Sequence, residues 1–130
     1  MKGIPFTLLL FRTQGDETVR RVAFLCYHSC PTAKLGEKDA GGMNVYVRNL
    51  SGALSKLGLQ IDVFSRIHDE SLTREDLMLG NARLIHINAG PPNSTKDQLH
   101  HYLPEFAENI QHFADTNQLK YDLIHSHYWL

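Results

Sequence analysis

The chain has 130 residues and a formal net charge of −1 at pH 7. A chain of this length can form one domain that buries roughly two-thirds of the surface of its unfolded form. Its charges are of mixed sign, which excludes binding to nucleic acid through a basic face. The eight histidines are too scattered for a metal-binding tract. The balance of charges indicates neither a polyanion nor a strongly acidic partner.

The amino-terminal part of the chain carries weak structural signals. An apolar run at residues 4–11 is interrupted by a proline and a threonine, is too short to span a bilayer, and lacks a following small-residue cleavage site. Residues 1–20 are therefore expected to be a tail or a disordered extension. Cys26 and Cys30 lack a second pair that would complete a zinc site, so we expect reduced, structural thiols in a cytoplasmic protein.

The first predicted elements are a strand at residues 21–27, a long loop and a helix. The stretch DAGGMNVYV at residues 39–47 contains a glycine pair that leads directly into the helix. Gly58 lies where the C-terminal cap of this helix is expected. Apolar residues at steps of three and four predict one buried stripe, made of Met43, Tyr46, Val47, Leu50, Ala53, Leu54 and Leu57.

Gly41 and Gly42 predict an anion site in front of this helix. Glycine lets a backbone approach a ligand closely, and a first helical turn presents unbonded amide hydrogens and the positive end of the helix dipole. A diphosphate or a sugar phosphate fits such a place. The long loop at residues 28–40 leaves the carboxyl end of the first strand, where ligands bind in α/β folds. Taken alone, the pair could equally serve close contact between the helix and a strand.

The second half of the chain continues an α/β pattern. Strands are predicted at residues 60–66, 82–88 and 121–130, with a surface loop of at most one helical turn at residues 68–79. Strand–helix–strand units require parallel strands and a right-handed crossover. The expected sheet order is third, second, first and fourth strand.

The connection between the third and fourth predicted strands contains another helix. Pro104 suits a first helical position, and an amphipathic stripe follows it. Residues 96–102 are ambiguous. The stripe consists of Phe106, Ile110, Phe113 and Ala114.

Four motifs occur in order along the chain, namely DAGGMNVYV at residues 39–47, DVFSR at 62–66, NAGP at 88–91 and YDLIHSHYWL at 121–130. Together they resemble the amino-terminal half of a family 4 retaining glycosyltransferase, in particular the D-inositol 3-phosphate glycosyltransferases of mycothiol synthesis and the sucrose-phosphate synthase group. The resemblance covers about residues 21–130. It implies a partial Rossmann-like, acceptor-side domain of a two-domain GT-B fold.

The resemblance also implies an activity. Such enzymes transfer a sugar from a nucleotide-sugar, with a UDP-sugar as the expected co-substrate, to a phosphorylated polyol or sugar acceptor. They retain the configuration at the anomeric carbon and use no covalently bound cofactor; no metal site is expected. The donor-binding half would lie outside these residues, so the chain is expected to be catalytically silent alone.

Residue roles follow from the same resemblance. The backbone amides of Gly41 and Gly42 match those that approach the donor diphosphate and the acceptor. Asn44 matches a polar residue that contacts the acceptor from the first helical turn. A phosphate prefers backbone amides, an amide side chain and a cation around it, which makes this combination chemically reasonable.

Three further residues are assigned roles by the resemblance. Lys96 and Tyr128 resemble an acceptor-binding lysine and tyrosine, and His127 resembles the catalytic-site histidine that contacts the donor sugar. Purely structural roles stay open as alternatives. Lys96 could be a solvated surface lysine, His125 a hydrogen-bonded core histidine and Trp129 a core aromatic residue. A metal pair of His125 and His127 lacks a third ligand.

Other classes of function also stay open. A nucleotide-dependent dehydrogenase is disfavoured because the first strand lacks a G-x-G-x-x-G turn and Arg66, not an acidic residue, ends the second strand. Arg66 could face the cleft or solvent. A non-catalytic sugar-phosphate binding module would show the same motifs. The last predicted strand is a core strand, which further elements would normally cover. We therefore expect this chain to be an amino-terminal fragment of a larger protein.

Overall fold

A computed structural model describes residues 18–27, 30–32, 42–69 and 75–127. Most of the predicted tail, most of the loop at residues 28–40 and the last three residues of the chain lie outside this description. In the described part, the chain forms the strands β1 (Arg21–Cys26), β2 (Gln60–Arg66), β3 (Glu75–Leu77), β4 (Arg83–Ile87) and β5 (Leu123–Ser126), the helices α1 (Gly42–Lys56) and α2 (Leu103–Thr116), and a 3-10 helix (Lys96–Tyr102).

The strands form one sheet in the order β3-β4-β2-β1-β5. Strand β1 pairs in parallel with β2 and with β5, and β2 pairs in parallel with β4. The predicted order of the four long strands is therefore confirmed. Because these four strands are mutually parallel, their carboxyl ends lie together at one edge of the sheet.

Strand β3 corrects the prediction for residues 68–79. This segment was expected to be a surface loop, but Glu75–Leu77 pairs antiparallel with β4 at the edge of the sheet. Three residues, two of them acidic, give no periodic signal of their own. The pairing comes from contact with β4, which a local sequence pattern does not report.

Helix α1 covers one face of the sheet and confirms the predicted stripe only in part: Met43, Leu50 and Leu54 are partly buried against the core. Val47 is buried as expected, whereas Tyr46 and Leu57 are exposed. A Cβ on Gly52 would come within 2.9 Å of the Leu79 Cβ, so the glycine allows a close approach. Small and polar residues therefore occupy the buried face, namely Asn44, Ser51, Gly52 and Ser55 beside Val47.

Both helices end or begin as the sequence predicts. Gly58, with φ of +93°, terminates α1 in a Schellman arrangement: its amide donates to Ser55 O at 3.0 Å, and the Leu59 amide donates to Leu54 O at 3.2 Å. Pro104 lies in the first turn of α2. The predicted stripe of α2 is confirmed, because Phe106, Phe113 and Ala114 are buried and Ile110 is partly buried against the second face of the sheet.

A buried carboxylate joins the amino ends of the strands. Asp62 accepts hydrogen bonds from Arg83 (Nε at 2.8 Å), Arg21 (Nη1 at 2.9 Å) and the Tyr121 hydroxyl at 2.7 Å. Burial raises the pKa of Asp62, but the hydrogen bonds and the two guanidinium charges lower it more, so the pKa lies below its ordinary value. This cluster stabilises the end of the sheet opposite the expected ligand site.

Candidate functional site

The candidate site lies at the carboxyl ends of the parallel strands. Open α/β sheets bind ligands there because loops and helix amino termini meet at that edge. Of the six residues predicted for the site, the structure describes Gly42, Asn44, Lys96 and His127. Gly41 and Tyr128 lie outside the described residues.

Helix α1 opens the site at Gly42, its first residue. The residue is exposed, and a Cβ built there would meet no atom of the described structure within 4 Å. The first amides of a helix point out of its amino-terminal end, because no turn of the helix precedes them. Asn44, two residues further, is only 1% exposed, so its amide group lies beneath the first turn rather than on the surface.

His127 follows β5 and is anchored by its backbone, whose amide donates to Leu25 O at 2.9 Å. Its ring is 4% exposed and lies 4.6 Å from the ring of Phe24 and 4.1 Å from that of His125, measured between centroids. Tyr46, on the second turn of α1, meets it edge-on at 5.9 Å. Helix α1 and the end of β5 therefore share one aromatic cluster.

The environment of His127 fixes its charge. Burial lowers the pKa of the imidazole to about 4, with a smaller contribution from the charge of His125. The ring is therefore neutral at pH 7. Its buried Nε2 has no hydrogen-bond partner among the described residues, which leaves that nitrogen able to bind a polar group of a ligand. A neutral imidazole can orient a hydroxyl, but it adds no positive charge.

Tyr46 is a neighbour of the site that the sequence analysis placed elsewhere. The predicted stripe assigned it to the core, yet the side chain is 51% exposed. Its position only four residues after the glycine pair is the signal that could have placed it near the ligand edge.

Arg66, the last residue of β2, could have faced either the cleft or solvent, and the structure shows that it is buried. The side chain is 5% exposed, and none of the ion pairs between described residues involves it. Its guanidinium donates to three backbone carbonyls of the loop at residues 88–95, which follows β4.

Lys96 begins the 3-10 helix directly after that loop, and its side chain is exposed. The 3-10 helix is tied to the ligand edge, because the hydroxyl of Tyr27, the residue after β1, donates to Leu99 O at 2.5 Å. Lys96 is thus presented by an element that is fixed at the carboxyl edge.

The two cysteines have free thiols and are buried beside α1. Cys30 Sγ lies 3.3 Å from His86 Nε2, so a hydrogen bond joins the loop after β1 to β4. Burial raises the pKa of the Cys26 thiol to about 12, with a further contribution from Cys30. In the part of the chain that the structure describes, no three His, Cys, Asp or Glu side chains come together as a metal site.

No helix among the described residues is long and apolar enough to cross a membrane.

The comparison with known proteins begins with the sequence. The sequence profile of the family Glycosyltransferase Family 4 matches residues 40–130 of this chain. The D-inositol 3-phosphate glycosyltransferase of Corynebacterium urealyticum is 43% identical over 112 residues, which are 85% of this chain and 26% of that protein. The protein of the same name from Kineococcus radiotolerans is 39% identical over 117 residues, or 88% of this chain and 27% of that one.

The fold gives the same relationship. A sucrose-phosphate synthase from Thermosynechococcus elongatus has a TM-score of 0.77 and 32% identity, over 85% of this chain and 27% of that one. The chain spans about a quarter of the length of these relatives. Its mainly parallel sheet with helices on both faces is the Rossmann-like fold of a GT-B amino-terminal domain, as predicted. With a family match over more than half of its residues, this chain belongs to glycosyltransferase family 4.

Proposed function

We propose that this chain forms the acceptor side of a retaining glycosyltransferase, which transfers a sugar from a nucleotide-sugar, expected to be a UDP-sugar, to a phosphorylated polyol. An inositol phosphate is the first candidate acceptor, because the two relatives named above for this substrate are 43% and 39% identical to this chain over the aligned residues. The chain covers about a quarter of those relatives, so we expect it alone to bind the acceptor without turnover.

The observation that carries this proposal is the start of α1. Gly42 is exposed, and no atom of the described residues lies within 4 Å of where its side chain would begin, at the ligand edge of the sheet. Amides preoriented there would stabilise the leaving diphosphate, whose charge grows in the transition state, more than they stabilise the substrate. Gly41 and Asn44 belong to the same proposed subsite.

The acceptor would lie between α1 and the 3-10 helix. Lys96 provides an exposed cation for the acceptor phosphate, and Tyr128 would complete that subsite. His127 would orient the transferred sugar, because its neutral ring keeps one nitrogen without a partner among the described residues. Two free buried thiols fit action in the cytoplasm.

A fructose phosphate is a second candidate acceptor, favoured by the structural likeness to a sucrose-phosphate synthase. Both candidates share a phosphate on a polyhydroxylated ring. They differ in the ring, so direct comparison of the two ligands distinguishes them.

The test is a binding titration of the 130-residue chain. We expect D-inositol 3-phosphate to bind more tightly than unphosphorylated inositol, and Lys96→Ala to lose about 1.5–3 kcal/mol of that affinity, typical of a charged hydrogen bond. Lys56→Ala is the matched control, because Lys56 is an exposed lysine at the other end of α1. Equal losses in both variants, or no preference for the phosphorylated ligand, would contradict the proposal.

Catalysis needs a second experiment. The chain replaces the matching quarter of the C. urealyticum relative, and sugar transfer by the resulting chimera is measured. Sugar transfer by the chimera would support the proposed enzymatic function. In that chimera, His127→Ala is expected to lower kcat more than it lowers the affinity for the acceptor. Acceptor binding without any transfer would instead support a non-catalytic sugar-phosphate binding module.

A further inference from the structure

Arg66 is a buried cation whose hydrogen bonds, among the described residues, go to backbone carbonyls. It is the last residue of β2, pairs in register with Ile87 of β4, and is 5% exposed. The ion pairs of the described residues involve Arg21 and Arg83, not Arg66. Burial lowers the pKa of its guanidinium, which shows that this environment opposes the charge. Burying a charge is unfavourable unless an opposite charge or well-placed hydrogen bonds compensate for the lost hydration.

The hydrogen bonds that Arg66 makes within the described part of the chain go to one loop. Nη1 donates to Ala89 O at 3.3 Å and to Pro91 O at 3.0 Å, and Nη2 donates to Pro92 O at 3.2 Å. A planar guanidinium reaches several acceptors in fixed directions, which a lysine ammonium on a flexible stem does not reproduce. Arg66 therefore holds three positions of the loop at residues 88–95 at once.

The same loop is fixed from the side of α2. Gly90 has φ of +69°, and a Cβ there would overlap the ring of Tyr102. The Gly90 amide donates to Glu105 Oε2 at 3.0 Å, and Asn109 Nδ2 donates to Asn88 O at 2.8 Å. Surface loops are usually among the more mobile segments of a protein. A loop with this many tethers is held in one shape.

The loop ends where Lys96 begins the 3-10 helix. We propose that Arg66 is a positioning residue for the acceptor phosphate: by holding the loop at residues 88–95, it fixes the direction in which Lys96 meets the ligand. This inference rests on the proposed function for the role of Lys96. Arg66 touches no ligand in this account and acts only through the backbone that it binds.

The experiment first measures the loop without ligand. Hydrogen exchange by mass spectrometry compares the 130-residue chain with its Arg66→Lys variant. We expect faster exchange in peptides from residues 88–99 and unchanged exchange in β1 and β2. Arg83→Lys is the control, because Arg83 binds Asp62 at the opposite end of the sheet and should leave residues 88–99 unaffected.

The second measurement is a double-mutant cycle on the binding of D-inositol 3-phosphate, followed by NMR so that weak binding is measurable. We expect Arg66→Lys to weaken binding about fivefold or more in the unaltered chain, but less than about twofold when Lys96 is already alanine. Such coupling indicates action through Lys96. A residue that only stabilises the fold would give the same loss in both backgrounds.

Each other result overturns the inference. Unchanged exchange at residues 88–99 would show that Arg66 does not hold the loop, whatever the ligand. Faster exchange throughout the chain would make Arg66 a residue of overall stability. Equal loss of affinity with and without Lys96 would show that Arg66 does not act through Lys96. If the unaltered chain binds no inositol phosphate, the proposed function fails, and the role of Lys96 fails with it.

Discussion

Acidification should destabilise the fold through His127. The folded-state pKa of this imidazole is about 4, because the ring is buried next to Phe24 and His125, whereas an unfolded histidine has a pKa of about 6.5. Between these values the unfolded chain binds the extra proton and the folded chain does not. The free energy of unfolding therefore falls as the pH decreases from about 6.5 towards 4.

The size of the effect follows from these two pKa values. From pH 7 to pH 5, a single group with this shift lowers the free energy of unfolding by about 2 kcal/mol. The assay is urea unfolding of the chain and of His127→Phe at both pH values. Phenylalanine keeps a ring in the cluster of Phe24, His125 and Tyr46 but removes the titrating nitrogens. The variant should lose about 2 kcal/mol less than the unaltered chain.

Two results would refute this reasoning. One is equal loss of stability in both chains between pH 7 and pH 5. The other is a proton NMR titration in which the His127 ring changes charge near pH 6.5 in the folded protein. Either would mean that water or a ligand-like group reaches a ring that is only 4% exposed in the structure.

Two further substitutions test the sheet and α1. Asp62→Asn should lower the free energy of unfolding by about 2–3 kcal/mol at pH 7, because the guanidinium groups of Arg21 and Arg83 lose the buried carboxylate that neutralises them. The partial exposure of both arginines keeps this loss of stability from being larger. Since the folded-state pKa of Asp62 is depressed, the difference should shrink below about pH 4, and the exposed Asp115→Asn control should show neither effect. Gly52→Ala should destabilise by about 1 kcal/mol net in thermal or urea unfolding, because the contact with Leu79 outweighs the better helix propensity of alanine. Gly42→Ala, with open space around the new methyl group, should change stability by less than about 0.5 kcal/mol, and an equal effect at both glycines would contradict the close approach.

The sequence predicted the order of the four long strands because each has a strong local signal. Buried parallel strands are continuous apolar runs, and the crossover rule then leaves few arrangements. Gly58 and Pro104 marked helix ends for equally local reasons. These features depend on residues close together along the chain.

The sequence did not predict features that depend on distant contacts. The stripe of α1 was predicted only in part, because Gly52 and Ser55 face the segment around Leu79 and Gly80, whose position becomes known only in the folded chain. Strand β3 exists because β4 offers it an edge. The role of Arg66 depends on carbonyls more than 20 residues away. The family resemblance supplied roles for His127 and Lys96, but only the structure gave their surroundings.

The short edge strand β3 has a consequence for assembly. Glu75 and Asp76 are exposed there, and a three-residue antiparallel strand with two carboxylates is a poor template for a strand of another molecule. On the opposite border, β5 exposes Ile124 and continues the parallel direction of the sheet. Of the two edges formed by the described strands, the β5 edge next to His127 is therefore the better template for pairing with a further strand.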